Sequence, residues 1–366
     1  MDALRFDAVT RAFTTLRTRR TAASALAVAV AAPLLGVVVG DAKKKKKRKA
    51  TLCLNGQTVS AAKKKKKKLI KQGATPGACC VPQCAAGACG SDGCGGTCAC
   101  AAGTVCDGGT CHACTVTCTG SPAACGSALQ TALNAGGTIY ACPGVYTGGF
   151  TIPQNNTALV GAGSGDDFTA NTVLDGNNVV IVVAFGGTGI RLAGLRIKRG
   201  MGNYGGGIQA GYGSDLTVER CAIVNNTANA GGAGLYFQGR LQLRDSLVTG
   251  NTASYGGGVY MDASQLASTI TNTTISGNIA GSGAGLSQYN AALLTISGGE
   301  ISSNHATGGG GGGLTSFSSV LQFTGGTRLT NNTATSPGGA IYTTGSTIQL
   351  GDAVFSGNTP NDCTGC

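Results

Sequence analysis

The 366-residue chain has no tryptophan, two histidines and three methionines, and its aromatic and charged residues reach only 5% and 11%. So few aromatics leave little material for stacking platforms under sugar rings or bases. Recognition of nucleic acid needs a basic face with interleaved aromatics, and the formal charge of +12 does not supply one. Residues 1–78 hold 19 of the 27 lysines and arginines against three acids, whereas residues 79–366 hold eight against 12. The body of the chain is slightly acidic, so nucleic acid is excluded as its partner. Scarce charge and the lack of a 3.6-residue apolar period also exclude a helical enzyme. What the chain has in quantity is glycine, 63 residues, and cysteine, 17 residues. The glycine, with the scarce charge, points to turn-rich β-structure.

Residues 21–40, TAASALAVAVAAPLLGVVVG, form one apolar run behind Arg17, Arg19 and Arg20. The pattern over 1–42 predicts a secretory signal, similar to a twin-arginine signal, or an uncleaved anchor, since about 20 apolar residues also span a bilayer. No other membrane span is expected. Two basic runs follow, Lys43–Lys49 and Lys63–Lys68. Like charges repel and bury nothing, so residues 43–78 read as a solvated linker. Its functional reading is attachment to a cell-wall polymer, polysaccharide or other anionic surface, each charge contributing about 1 kcal/mol. A basic run directly behind an apolar segment sits awkwardly with export under the positive-inside rule.

Eleven cysteines fall between Cys79 and Cys118. Forty residues with few large apolar side chains cannot build a core, so residues 79–118 read as a module held by disulfides. The rival is metal binding at Cys111, His112 and Cys114, but the paired CxxC spacing of a zinc ribbon is missing. Cys53 is expected to pair into this region. The total is odd, and Cys221, flanked by Ala222 and Ile223, is the candidate buried free thiol.

From residue 206 the sequence repeats. Asn226, Asn251, Asn278, Asn304, Asn332 and Asn358 recur at intervals of 25 to 28 residues. Three apolar columns keep step: Ile208, Leu235, Val259, Leu286, Leu314, Ile341; Val218, Leu243, Ile270, Ile296, Phe323, Leu350; and Ile223, Val248, Ile275, Ile301, Leu329, Phe355. Three short apolar runs per unit, separated by Gly or Asn turns, predict coils of three parallel strands stacked so that each column becomes an interior ladder. Stacked Asn amides can bond coil to coil, a structural role. Less regular coils extend upstream to TIYACPGVYTGGFTI (138–152), and SALQTALNAGG (127–137) predicts an amphipathic helix capping the first coil. Residues 119–366 thus form one all-β solenoid.

The TIYACPGVYTGGFTI start, with LVGAGSG and TVLDG behind it, resembles the opening of right-handed parallel β-helix proteins of the pectin-lyase-like superfamily. Gly338-Gly339-Ala340-Ile341 and Phe355-Ser356-Gly357-Asn358 are similar to the paired motifs of polymorphic-membrane-protein repeats. The resemblance covers about residues 125–366 and implies the right hand of the coil. Autotransporters with such repeats end in a membrane barrel, for which no room follows Cys363-Thr364-Gly365-Cys366. Anchoring or release is therefore expected to depend on the N-terminus.

The resemblance also implies what an active site would need: clustered Asp holding calcium with an Arg or Lys base, or several close carboxylates. In the repeats the acids are singletons, apart from Asp166-Asp167 in a Gly-Ser turn. Weak catalytic candidates are Asp175, in TVLDG, with Arg196 and Lys198, which match a polygalacturonase strand motif whose companion motifs are missing. His305 reads as a surface histidine. Tyr236, Tyr260 and Tyr342 follow first-column residues and are expected on one outward face, a candidate contact stripe. The reading is an exported, non-catalytic β-solenoid serving adhesion, envelope or matrix structure, with no cofactor. The alternative is a divergent polysaccharide lyase or glycoside hydrolase, with calcium only in the lyase case. A third reading, a ligand surface on the Thr that follows several ladder Asn residues, is interrupted by Ile279 and His305.

Overall fold

The computed structural model describes residues 50–54, 57–76, 84–91 and 97–366. The expected signal or anchor, the first lysine run, and Cys79, Cys80 and Cys94 lie outside the described residues, as does the Cys53 side chain. Two units are present, Met1–Cys79 and Cys80–Cys366.

In the first, Ala50–Leu54 pairs antiparallel with Gln57–Ala61 and with Thr75–Pro76, and Lys63–Lys71 is a helix. Over the described residues between 50 and 76 this corrects the linker expected for 43–78. Lysine is a good helix former, and Leu69, at the end of the run, is buried in a small cluster with Leu52, Ala61 and Ala74. A few apolar residues flanking the charge run fold it against a hairpin, while its exposed lysines stay solvated. The first turn carries no acid to offset the helix dipole, so the helix is held by that cluster and opposed by its own charge.

The second unit is a parallel β-helix. Its register matches the three columns. Phe150, Val183 and Ile208 lead into Leu235, Val259, Leu286, Leu314 and Ile341. Ile139, Leu159 and Leu192 lead into Val218, Leu243, Ile270, Ile296 and Phe323. Tyr146, Leu174 and Ile197 lead into the column from Ile223 to Phe355, on a nine-stranded sheet. These ladders fill one continuous core. Each fully buried rung contributes roughly 1.5–3 kcal/mol before chain entropy.

The coil also has a fourth, short strand. Met201–Tyr204, Thr227–Gly231, Thr252–Tyr255, Ile279–Ser282, His305–Ala306 and Thr333–Ala334 stack into a six-stranded sheet directly after the Asn ladder. Its inward residues include Ala280 and Ala306, too small to register as an apolar column. Two long strands, Ile208–Glu219 and Leu235–Arg244, run through both the first and second ladder positions and fuse those strands into one sheet.

The Asn column is buried from Asn226 to Asn332. Each amide oxygen in the series accepts from the backbone N–H one coil earlier, as Asn251 Oδ1 does from Asn226 at 3.0 Å. Each Nδ2 donates forward to the next Asn oxygen and back to a carbonyl, as Asn278 does to Asn304 and Val248. Gly200 N–H starts the ladder on Asn226, and Asp362 ends it, accepting from Asn358 Nδ2 at 2.9 Å. The chain reaches each rung through a left-handed residue, among them Asn225, Gly250, Gly277, Ser303, Asn331 and Gly357, a conformation that Gly and Asn tolerate best.

The helix Pro122–Ala135 closes the open end of the first coil. It starts five residues earlier than the sequence suggests because Ser121 caps it, accepting from the Ala124 N–H, with Pro122 behind; both are helix-start residues. Cys125, Leu129 and Leu133 are its buried face. Gln130 pairs its amide with both backbone groups of Thr151, at 2.9 Å each, satisfying an edge strand. Gly126 permits the contact, since a Cβ there would lie 2.1 Å from the Thr147 carbonyl oxygen.

Candidate functional site

Asp175, Arg196 and Lys198 lie on adjacent strands, Thr172–Asp175 and Leu195–Lys198, where Asp175 is the register partner of Lys198. Asp175 is only 1% exposed. Its carboxylate is clasped by Arg199, with Nε at 2.9 and 3.1 Å, and accepts from Asn177 N–H at 2.9 Å, with Lys198 Nζ at 3.8 Å. Arg199 has φ 53°, so a strained backbone position delivers the guanidinium to this acid. Arg196 turns away to Asp166 and to the Ser164 carbonyl at 3.2 Å. Asp167 accepts from Thr169 N–H and Oγ1, which hold its carboxyl below its ordinary value. The three candidates therefore serve two separate ion pairs.

A second ionic group escaped the sequence reading. Arg191 bridges Asp107, on the hairpin Thr104–Asp107/Thr110–Ala113, and Glu219, on the solenoid. Glu219 is 2% exposed and also receives Arg244 Nε at 2.8 Å and Arg220 at 3.2 Å. Burial pushes the Glu219 carboxyl up, and hydrogen bonds from Arg191 and Arg244 more than reverse this, leaving it lowered. Asp107 is lowered first by its hydrogen bond with Arg191. Disulfides join the same surfaces: Cys114 to Cys142 and Cys118 to Cys125, beside Cys84–Cys98, Cys89–Cys106 and Cys100–Cys111 within the Cys-rich segment. The ion group spans 84 residues of sequence between Asp107 and Arg191, so no local motif announces it.

Cys111 and Cys114 thus each hold a disulfide, and His112 stacks on Tyr140 with ring centroids 4.5 Å apart. Among the described residues, three metal-ligating groups come together only at Cys89, Cys100 and Cys111, all in disulfides. Cys221 is free and buried, and burial pushes its thiol up to about 12. His305 aligns with Thr333 and shares a 2.7 Å contact with its hydroxyl; Thr227, Thr252, Ile279, His305 and Thr333 form one register column.

The expected outward stripe is only partly met: Tyr236 is buried, and Ser287 and Thr315 separate Tyr260 from Tyr342. Tyr204, Tyr236 and Tyr260 pack in sequence with centroids 4.8 and 5.7 Å apart, and Phe317 meets Tyr342 at 5.9 Å. Tyr236 OH donates to Asp262 at 2.9 Å. Burial raises Tyr260 to about 12, aided by the Asp262 charge. Gly231 gives Tyr260 its place, because a Cβ there would sit 2.4 Å from the ring.

A family model described as "right handed beta helix region" matches residues 150–275. Together with the stacked parallel coils this defines the class: a right-handed parallel β-helix, stapled by disulfides at its N-terminal end. No curated protein and no solved structure matches the chain.

Proposed function

We propose that the protein is an exported, non-catalytic β-solenoid acting at the cell surface or in the extracellular space, in adhesion, envelope or matrix structure. The observation that carries this reading is the state of its buried acids: Asp175 and Glu219 are each clasped by arginine. A carboxylate so engaged is a poor calcium ligand or proton acceptor. Disulfides in an oxidising compartment support export. The kinship with pectin-lyase-like proteins and polymorphic-membrane-protein repeats belongs to this proposal, resting on the motifs at Gly338–Ile341 and Phe355–Asn358. The lysine-rich N-terminal segment is the proposed attachment point for anionic polymer.

Purified full-length protein incubated with a polysaccharide panel, with and without calcium, tests the reading. No product is expected. Product formation abolished by Asp175→Asn would establish the lyase or hydrolase alternative instead. Retention on an anionic polymer should fall with salt and be lost on deleting residues 43–68.

A further inference from the structure

The column that alternates with the first ladder reads Tyr236, Tyr260, Ser287, Thr315, Tyr342, of which Tyr236, Ser287 and Thr315 are buried. Two small residues interrupt an aromatic series, and Thr315 Oγ1 donates to Ser287 Oγ at 2.9 Å. The gap is a cleft of about 300 Å³ lined by Tyr255, Tyr260, Ser287, Tyr289 and Phe317. Four aromatic rings from neighbouring coils therefore line a missing rung. Tyr255 and Tyr289 are 55% and 46% exposed, so the cleft is open. On the other side of Tyr255 lies a second cleft, of about 470 Å³, with Ser254, Ser282 and Thr307 in its wall.

Charge decides what the aromatic cleft suits. Asp262 is the register partner of Tyr289. Its carboxylate accepts from Tyr236 OH and from Gln238 Nε2 at 3.1 Å, two neutral donors. Asp107, Asp175, Asp215 and Glu219 are all neutralised by arginine. No lysine or arginine occurs between Arg244 and Arg328, whereas Asp245, Asp262 and Glu300 do. The electron-rich faces of tyrosine and phenylalanine attract a cation, most strongly one that sheds its water easily. Asp262, outside the cleft lining but in register with Tyr289, adds a carboxylate with no cation paired to it among the described residues.

We propose that this cleft binds a methylated ammonium group, as carried by choline-type molecules, with the aromatic rings around the cation, Asp262 supplying the counter-charge, and the hydroxyl-lined cleft beside Tyr255 receiving a polar stem. The site goes beyond the proposed function and stands whether or not the protein is exported.

The chain has no tryptophan, and three of its nine tyrosines line the cleft, so tyrosine fluorescence of the intact protein, compared with Tyr289→Ala, follows binding. Titration with choline should give saturable binding, and 3,3-dimethylbutanol, its neutral carbon isostere, should bind at least about tenfold more weakly. Asp262→Asn should remove most of that discrimination. Tyr289→Ala, at an exposed position, should weaken choline binding at least about fivefold while the circular dichroism stays unchanged. Equal affinity for choline and the isostere would overturn the proposal, and so would an absence of choline binding to the wild-type protein. Choline-competed binding to phosphatidylcholine vesicles would place the ligand on a lipid headgroup; choline binding without vesicle binding would place it on a soluble molecule. Both results uphold the site.

Discussion

Replacing Asn278 by alanine tests whether the buried amide ladder holds the coils together. The side chain makes four hydrogen bonds: its Oδ1 accepts from Asn251 N–H and Nδ2, each at 3.0 Å, and its Nδ2 donates to Val248 O at 3.1 Å and Asn304 Oδ1 at 3.0 Å. Asn278 is fully buried, so alanine orphans the Asn251 backbone N–H where water has little access. At a net contribution of about 1 kcal/mol per bond, the four bonds predict a loss of about 4 kcal/mol. Asn358, at the half-exposed end of the ladder, should lose about 1 kcal/mol on the same change. Because solenoids fold as coupled repeats, the assay is amide hydrogen exchange read coil by coil. Protection of the strands flanking residues 251, 278 and 304 should fall by about a hundredfold or more, with little change near the N-terminal helix. Asn278→Asp should be worse at neutral pH, since it buries an unpaired carboxylate against the Val248 and Asn304 oxygens. A loss below 1 kcal/mol, or equal losses at 278 and 358, would refute the reasoning.

Three further outcomes are expected. Gly126→Ala, which places a Cβ against the Thr147 carbonyl, should lift the capping helix and expose the first coil's edge, seen as faster exchange at residues 144–151 and as aggregation; an unchanged melting curve would contradict this. Glu219 and Asp107 have lowered folded-state values, so their contribution is present above the unfolded values near pH 4 and lost as pH falls through the folded ones. The acid limb of a stability–pH curve should therefore flatten in Glu219→Gln, and a parallel, unflattened limb would remove the network from the account. Cys221, buried with its thiol raised to about 12, should resist thiol reagents in the native protein and become labelled at 221 in denaturant without reductant; rapid native labelling at 221 would show that the core opens there.

The sequence alone determined the solenoid, its register and its buried amide column. Ladder residues stack on their own equivalents, so a repeat in sequence becomes a repeat in space, and Ile208 to Ile341 could be aligned without coordinates. The capping helix was legible because Leu129 and Leu133 share one face and Gly136 stops it. The fourth strand was not, because its inward residues are alanines that carry little periodic signal. The lysine-rich segment was misread because the four residues that fold it, Leu52, Ala61, Leu69 and Ala74, are few and scattered around the charge. Only the tertiary structure could decide which charges meet. It brought Asp107 to Arg191, gave Asp175 to Arg199, and set Asp262 among tyrosines, with no cation paired to it among the described residues. Periodicity fixes which residues share a face, but ion pairs and clefts depend on side-chain reach between coils and across the join to the Cys-rich segment, which no spacing encodes.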